Sequence, residues 1–115
     1  MSRDTLFLLP PGFEDHDRRE YCPECGEIWG VLSYFPALKE TVDIVYVPIN
    51  HPRAPIVDLL GEGTYNAPTL VLAEGTSTPS GVSFKTANGR KYIDNARGLA
   101  ALWHGRFGTP VRRGS

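Results

Sequence analysis

The feature of the sequence that most constrains the fold is a close pair of cysteines, Cys22 and Cys25. They are the only two cysteines in the chain, and an amphipathic stretch with helical spacing follows them. Pro23 suits the first turn of a helix, because its fixed φ is helical and its missing N–H would have no partner there. The sequence therefore predicts that the pair opens a helix over residues 23–38, which Pro36 ends or kinks.

A cysteine pair in this position has a defined chemistry. The unpaired N–H groups and partial positive charge of a helix amino end favour a thiolate at Cys22, which makes it the nucleophile of a thiol–disulfide exchange. Cys25 lies about one turn further on, where it would be more buried and would resolve a mixed disulfide. Glu24 acts in the opposite direction, because a neighbouring carboxylate disfavours the thiolate.

The same motif is also compatible with a zinc knuckle. A structural zinc site takes four ligands, but the chain has no second Cys-x-x-Cys, and His16, His51 and His104 are scattered along it. Four cysteines can still surround one metal if two chains share it in a homodimer. A redox pair, a zinc site shared in a dimer and a non-catalytic binding protein therefore remain as alternatives.

Length and charge exclude several classes of protein. A chain of 115 residues allows one domain with a modest core. A net charge of −1 provides no broad basic surface for nucleic acid. No apolar run approaches the roughly 20 residues of a membrane span, and the first residues lack a signal-peptide pattern. We therefore expect a cytoplasmic protein, a monomer or weak homodimer, that binds neither nucleic acid nor membrane.

The rest of the chain alternates between predicted strands and helices. The predicted strands are apolar or β-branched and cover residues 5–9, 43–49, 67–72 and 82–86. The predicted helices cover residues 23–38, 55–60 and about 95–106, the last with an N-cap at Asp94 or Asn95. The polar segment 10–20, including Asp15-His16-Asp17, is interpreted as solvated loop, and residues 107–115 as a flexible tail. This pattern favours one domain over residues 1–115, with its core in residues 4–106.

This order resembles the thioredoxin–glutaredoxin fold over about residues 4–106, since Cys-Pro-x-Cys opens the first helix and Ala67-Pro68-Thr69 opens the third strand. The resemblance implies a three-layer α/β fold with a central mixed sheet of about four strands flanked by helices. The chain is also similar to a family of small, uncharacterised bacterial proteins with a thioredoxin-like fold. These begin with a similar Asp-Thr-Leu-Phe-Leu-Leu-x-Pro-Gly-Phe-Glu-Asp segment and carry Tyr-Cys-Pro-x-Cys.

The resemblance implies a role for particular residues. Cys22 matches the attacking cysteine and Cys25 the resolving one. Pro68 matches a cis-proline beside the active site, and the residue before it, Ala67, pairs through its backbone with a bound peptide or thiol. The implied substrate-binding residues near the sulfurs are Tyr21, Pro23, Ala67, Pro68 and Thr69.

At the start of the last helix, Asp94 and Asn95 match polar residues that hold the γ-glutamyl carboxylate of glutathione in glutaredoxins and glutathione transferases. The resemblance thus implies a thiol–disulfide oxidoreductase that acts on a small-molecule or protein thiol or disulfide, with glutathione as co-substrate and no other cofactor. The chain departs from the pattern in its longer loop before Cys22, in lacking a Gly-Gly pair before the last helix, and in lacking the acid of the first strand that assists the resolving cysteine. These departures argue against an efficient general disulfide reductase.

Overall fold

A computed structural model describes residues 3–114. Met1 and Ser2 lie outside the described residues, as does Ser115, the last residue of the predicted tail. The strands of the described chain are β1 (Asp4–Leu8), β2 (Phe13–Asp15), β3 (Arg18–Glu20), β4 (Val42–Tyr46), β5 (Thr69–Val71), β6 (Lys85–Ala87) and β7 (Arg90–Ile93). The helices are α1 (Pro23–Tyr34), α2 (Ala54–Leu60) and α3 (Ala96–Phe107), with a 3-10 helix over Pro36–Thr41.

A mixed five-stranded sheet forms the centre of the molecule, in the order β4-β1-β5-β7-β6. Strand β1 pairs in parallel with β4 and antiparallel with β5, so it is hydrogen-bonded on both sides. Its Leu6, Phe7 and Leu8 are at most 1% exposed, as expected for a continuous apolar run inside a sheet covered by helices. The predicted α/β fold class is confirmed, with five strands in place of about four.

The strand of the central sheet that the sequence analysis missed is β7. The turn before it is Asn88-Gly89, and both residues have positive φ, +51° and +73°, as a tight hairpin turn requires. Strand β7 after the turn is only partly buried over Arg90–Tyr92 and carries no apolar alternation. Its pairing with β5 and β6 therefore depends on the neighbouring strands more than on its own sequence.

The segment predicted as a loop before the cysteines contains a second hairpin, β2–β3. Its turn is His16-Asp17, with φ of +51° and +59°, and the strands pair from Phe13↔Glu20 to Asp15↔Arg18. The interpretation of residues 10–20 as loop was wrong here, because charged strand residues give no hydrophobic period by which to recognise them. The hairpin brings the end of β3 directly to the cysteines.

The predicted helix ends are largely confirmed. Helix α1 ends at Tyr34, and Pro36 begins the 3-10 helix that follows it. Asn95 is the N-cap of α3, where its side-chain oxygen accepts the N–H of Gly98 at 2.7 Å. Helix α3 stops at Gly108, whose φ of +75° favours glycine. None of the described helices is both long enough and apolar enough to cross a bilayer.

The chain after α3 contacts the helices, which the prediction of a flexible tail did not anticipate. Arg112 Nε lies 2.8 Å from Glu27 Oε2 on α1, and His104 Nδ1 lies 2.7 Å from the Thr109 carbonyl oxygen. The Arg112 guanidinium holds the pKa of the Glu27 carboxyl below its usual value. These contacts attach residues 109–112 to the face formed by α1 and α3.

A buried ion pair connects α3 to the sheet. The Asp4 side chain is 3% exposed; its Oδ2 accepts from Arg106 Nη1 at 2.7 Å and its Oδ1 from the Ala73 N–H at 2.8 Å. Both carboxylate oxygens therefore have partners, which offsets the cost of burying the charge.

We expect Arg106→Met to lower the free energy of unfolding by about 3 kcal/mol, because it leaves the buried Asp4 carboxylate without its counter-charge. Urea denaturation followed by circular dichroism measures the change. Lys85→Met is the matched control: its partner is Asp94, but the Lys85 side chain is 62% exposed, and such pairs contribute little. Equal effects of the two substitutions would contradict the importance of the buried pair.

Candidate active site

Cys22 is the N-cap of α1, with extended backbone angles of φ −82° and ψ 114°. Its Sγ accepts the backbone N–H of Cys25 at 3.1 Å, and its carbonyl accepts the N–H of Gly26 at 3.0 Å. The sulfur thus takes the place of the oxygen that usually caps a helix. Negative charge on this sulfur would be stabilised by the N–H group and by the helix dipole.

Cys25 has a very different environment from Cys22. It is 4% exposed and belongs to the hydrophobic core, whereas Cys22 is only partly buried, and both are free thiols. Burial raises the pKa of the Cys25 thiol to about 12, with the Cys22 sulfur acting in the same direction and a backbone hydrogen bond at Leu9 acting against it. Cys25 therefore remains a protonated thiol at neutral pH.

The segment before β5 faces the Cys22 sulfur. Cys22 Sγ lies 3.8 Å from the Ala67 carbonyl oxygen, and the Ala67–Pro68 peptide bond is cis. Ala67, Pro68 and Thr69 are all buried, and the Thr69 hydroxyl donates to the Asn66 carbonyl at 2.6 Å. The fold thus brings this predicted segment against Cys22, and its proposed contacts with substrate stay predictions.

A cleft of about 410 Å³ opens at Cys22. Four of the predicted site residues line it: Tyr21, Cys22, Pro23 and Ala67. Tyr21 is 71% exposed at its edge. The β2–β3 hairpin contributes Phe13 and Glu20 to the wall, so the segment predicted as a solvated loop forms part of the site.

Asp94 and Asn95 do not line this cleft. Asp94 Oδ2 pairs with Lys85 Nζ at 2.9 Å, and Asn95 caps its own helix. The first N–H of α3, that of Ala96, donates to Glu24 Oε1 at 3.1 Å. The amino end of α3 is thus partly filled by a side chain from between the two cysteines, and the role of Asp94 and Asn95 as glutathione contacts stays a prediction.

Among the cleft residues that sequence reasoning missed is the one cation in its lining, Arg53. It is 6% exposed, and it donates from Nη1 to the Tyr65 carbonyl at 3.1 Å and from Nη2 to the Ile49 carbonyl at 3.0 Å. Burial lowers the pKa of its guanidinium, and the neighbouring Cys25 and Cys22 sulfurs act in the opposite direction. In the sequence Arg53 stands in a polar, proline-rich connector, where nothing separates a buried arginine from an exposed one.

Three side chains of the kind that bind metals meet at the hairpin. Ligand-type atoms of Asp15, His16 and Glu20 lie within 4.8 Å of one another. Arg18 Nε already lies 2.7 Å from Glu20 Oε2 and holds the pKa of that carboxyl below its usual value. A cation at this turn would have to displace Arg18, and we assign no metal site here.

Comparison with known families places the chain in one of them. A family model described as "Protein of unknown function (DUF3088)" matches residues 3–111. Since the match covers nearly the whole sequence, the chain belongs to this family. Neither the curated proteins nor the solved structures provide a match.

We expect iodoacetamide to alkylate Cys22 near neutral pH and to leave Cys25 unmodified until the pH approaches about 12. The thiolate is the reacting form, and a raised pKa keeps Cys25 protonated at all lower pH values. Because folding raises the pKa of Cys25, the buried thiol contributes to the free energy of unfolding in full at pH values below the pKa that Cys25 has in the unfolded chain. This contribution is lost as the pH rises towards about 12.

Mass spectrometry of the two cysteine-containing peptides across a pH series measures both rates. Protein unfolded in urea is the control, since both cysteines are then exposed and react alike. Alkylation of native Cys25 as fast as Cys22 near neutral pH would be the contrary result.

Proposed function

We propose that this member of the DUF3088 family is a thiol–disulfide oxidoreductase of the thioredoxin-like superfamily, with Cys22 as nucleophile and Cys25 as resolving cysteine. The observation that carries the proposal is the 3.1 Å hydrogen bond from the Cys25 amide to the Cys22 sulfur at the amino end of α1. This arrangement combines an accessible, stabilised sulfur on Cys22 with a buried thiol on Cys25. The mixed sheet and the Ala67-Pro68 segment facing Cys22 support the superfamily.

The reaction proceeds by two exchanges. The Cys22 thiolate attacks one sulfur of a substrate disulfide; a bond forms from Cys22 to that sulfur, the substrate S–S bond breaks, and the departing thiolate takes a proton from water. Cys25 then loses its proton to water and attacks the Cys22 sulfur, which releases the second substrate thiolate. The substrate is reduced by two electrons, and the cysteines become a disulfide.

A reducing thiol, for which glutathione is the candidate co-substrate, reverses these exchanges and restores the pair. The first exchange also prepares the second. Burial and, after it, the neighbouring Cys22 sulfur raise the pKa of Cys25 to about 12. Once Cys22 is in a mixed disulfide it carries no charge, so the contribution of that sulfur is removed and Cys25 becomes easier to deprotonate.

The burial of Cys25 also bears on the alternatives. A zinc ion shared by two chains needs both sulfurs at a common surface, and at 4% exposure Cys25 reaches none without opening of the first turn of α1. A non-catalytic binding protein would use the same cleft as the enzyme. Turnover, and the mixed disulfide trapped in the Cys25→Ser variant described next, distinguish the enzyme from the non-catalytic binding protein.

We expect reduced wild-type protein to release two thiopyridone molecules per chain from dithiodipyridine, a neutral disulfide, one in each exchange. Cys25→Ser should release one and retain a thiopyridyl adduct on Cys22, because the resolving thiol is absent. Cys22→Ser should react at least about 100-fold more slowly, since a buried thiol with a raised pKa is a poor nucleophile. Absorbance gives the rates, and intact mass gives the adduct.

The double variant, Cys22→Ser with Cys25→Ser, is the control and should release no thiopyridone. Reaction of Cys22→Ser at the wild-type rate would contradict the assignment of Cys22 as the nucleophile. An adduct that stays on the wild-type chain would mean that Cys25 does not resolve it, which favours the non-catalytic alternative.

A further inference from the structure

Arg53 is a buried cation that forms no salt bridge with a carboxylate of the described residues. It is 6% exposed, and its two hydrogen bonds go to neutral carbonyl oxygens, those of Tyr65 and Ile49. Its Nε is buried with no hydrogen-bond partner among the described residues. An arginine keeps its charge in a protein, and a buried charge without an opposite charge is costly. The side chain thus has donors to offer to an anion.

The cation lies in the wall of the cleft that opens at Cys22. Both residues line the same space of about 410 Å³, and the two sulfurs lie near enough to oppose the lowering of the Arg53 pKa by burial. Among the residues that line this cleft Arg53 is the one cation. An anion bound to Arg53 would therefore lie within the cleft, close to the reacting sulfur.

The two acids of the same wall are already engaged elsewhere. Glu20 accepts from Arg18 Nε at 2.7 Å, and Glu24 accepts the Ala96 N–H at 3.1 Å. Neither carboxylate is paired with Arg53. The cleft thus combines a nucleophilic sulfur with one cation whose charge its own acids leave unmatched.

We propose that Arg53 binds the carboxylate of a small thiol or disulfide substrate while the sulfur of that substrate reacts at Cys22. The proposal rests on the proposed function and adds the substrate class. Of the five N–H donors of the guanidinium, the Tyr65 and Ile49 carbonyls take two. A carboxylate accepts charge-assisted hydrogen bonds from those that remain.

The amino end of α3 is the competing place for a substrate carboxylate, as the glutathione resemblance implies. There Glu24 and Asn95 already accept the N–H groups of Ala96 and Gly98. A carboxylate arriving at that end must displace the Glu24 side chain, whereas one arriving at Arg53 displaces none of the hydrogen bonds described. Recognition at Arg53 therefore favours a compact substrate with its carboxylate near its sulfur.

Two alkylating reagents of similar size test the proposal without knowledge of the substrate. Iodoacetate carries a carboxylate and iodoacetamide a neutral amide, and the same Cys22 thiolate attacks both. Any effect of Arg53 on the thiolate itself cancels in the ratio of the two rates. We expect native wild-type Cys22 to favour iodoacetate by about tenfold or more, relative to the same ratio for the chain unfolded in urea.

Two variants at Arg53 separate its contribution from the helix dipole, which also attracts anions. Arg53→Met should return the ratio towards the unfolded value, and Arg53→Lys, which keeps the charge but loses the planar fork, should give an intermediate ratio. Circular dichroism and thermal melting verify that each variant folds. If Arg53→Met does not fold, Arg53→Lys and protection of wild-type Cys22 by acetate, compared with acetamide at equal concentration, provide the test.

The possible outcomes separate the two proposals. A wild-type ratio equal to that of the unfolded chain, a ratio that Arg53→Met leaves unchanged, or equal protection by acetate and acetamide would overturn the carboxylate site while Cys22 remains a nucleophile. Cys22 that reacts with neither reagent faster than in the unfolded chain would overturn the proposed function itself. A preference for iodoacetate that the Arg53 variants remove supports both.

Discussion

The hydrogen bond from the Cys25 amide to the Cys22 sulfur is the interaction on which the candidate site depends. It makes a sulfur the cap of α1, so the chemistry of that sulfur and the start of the helix have the same cause. The helix is held in place by Ile28 and Leu32, both fully buried in the core. Packing far from the cleft thus determines where the sulfur lies and keeps Cys25 out of water.

For the candidate site, the positions of the charged groups around the sulfurs matter more than the net charge of the protein. A net charge of −1 describes an ordinary surface, but the acids near the cleft are each engaged by another group. Glu24 binds an N–H of α3 and Glu20 binds Arg18. The buried Arg53 is the one cation that lines the cleft and is paired with neither of these acids, and the proposed carboxylate site rests on it.

The parts of the fold with a strong local signal could be predicted from the sequence. The apolar run of β1, the end of α1 before Pro36 and the Asn95 cap depend on residues close together in the chain. The β2–β3 hairpin and β7 could not, because their strands are charged and are stabilised by pairing.

The candidate site likewise has features that could be predicted from the sequence and features that could not. The cysteine pair and the Ala67-Pro68 segment were predictable from motifs. The Glu24–Ala96 contact joins residues 72 positions apart, and the burial of Arg53 depends on carbonyls from two separate loops. The local sequence pattern predicts neither the Glu24–Ala96 contact nor the burial of Arg53.

The 4% exposure of Cys25 has a kinetic consequence for the proposed cycle. An outside thiol could open a Cys22–Cys25 disulfide only at the Cys22 sulfur, so oxidation and reduction both begin at one atom. The oxidising and the reducing substrate must then occupy the cleft in turn, and each is a competitive inhibitor of the other's half-reaction. Such an enzyme follows ping-pong kinetics and forms no ternary complex.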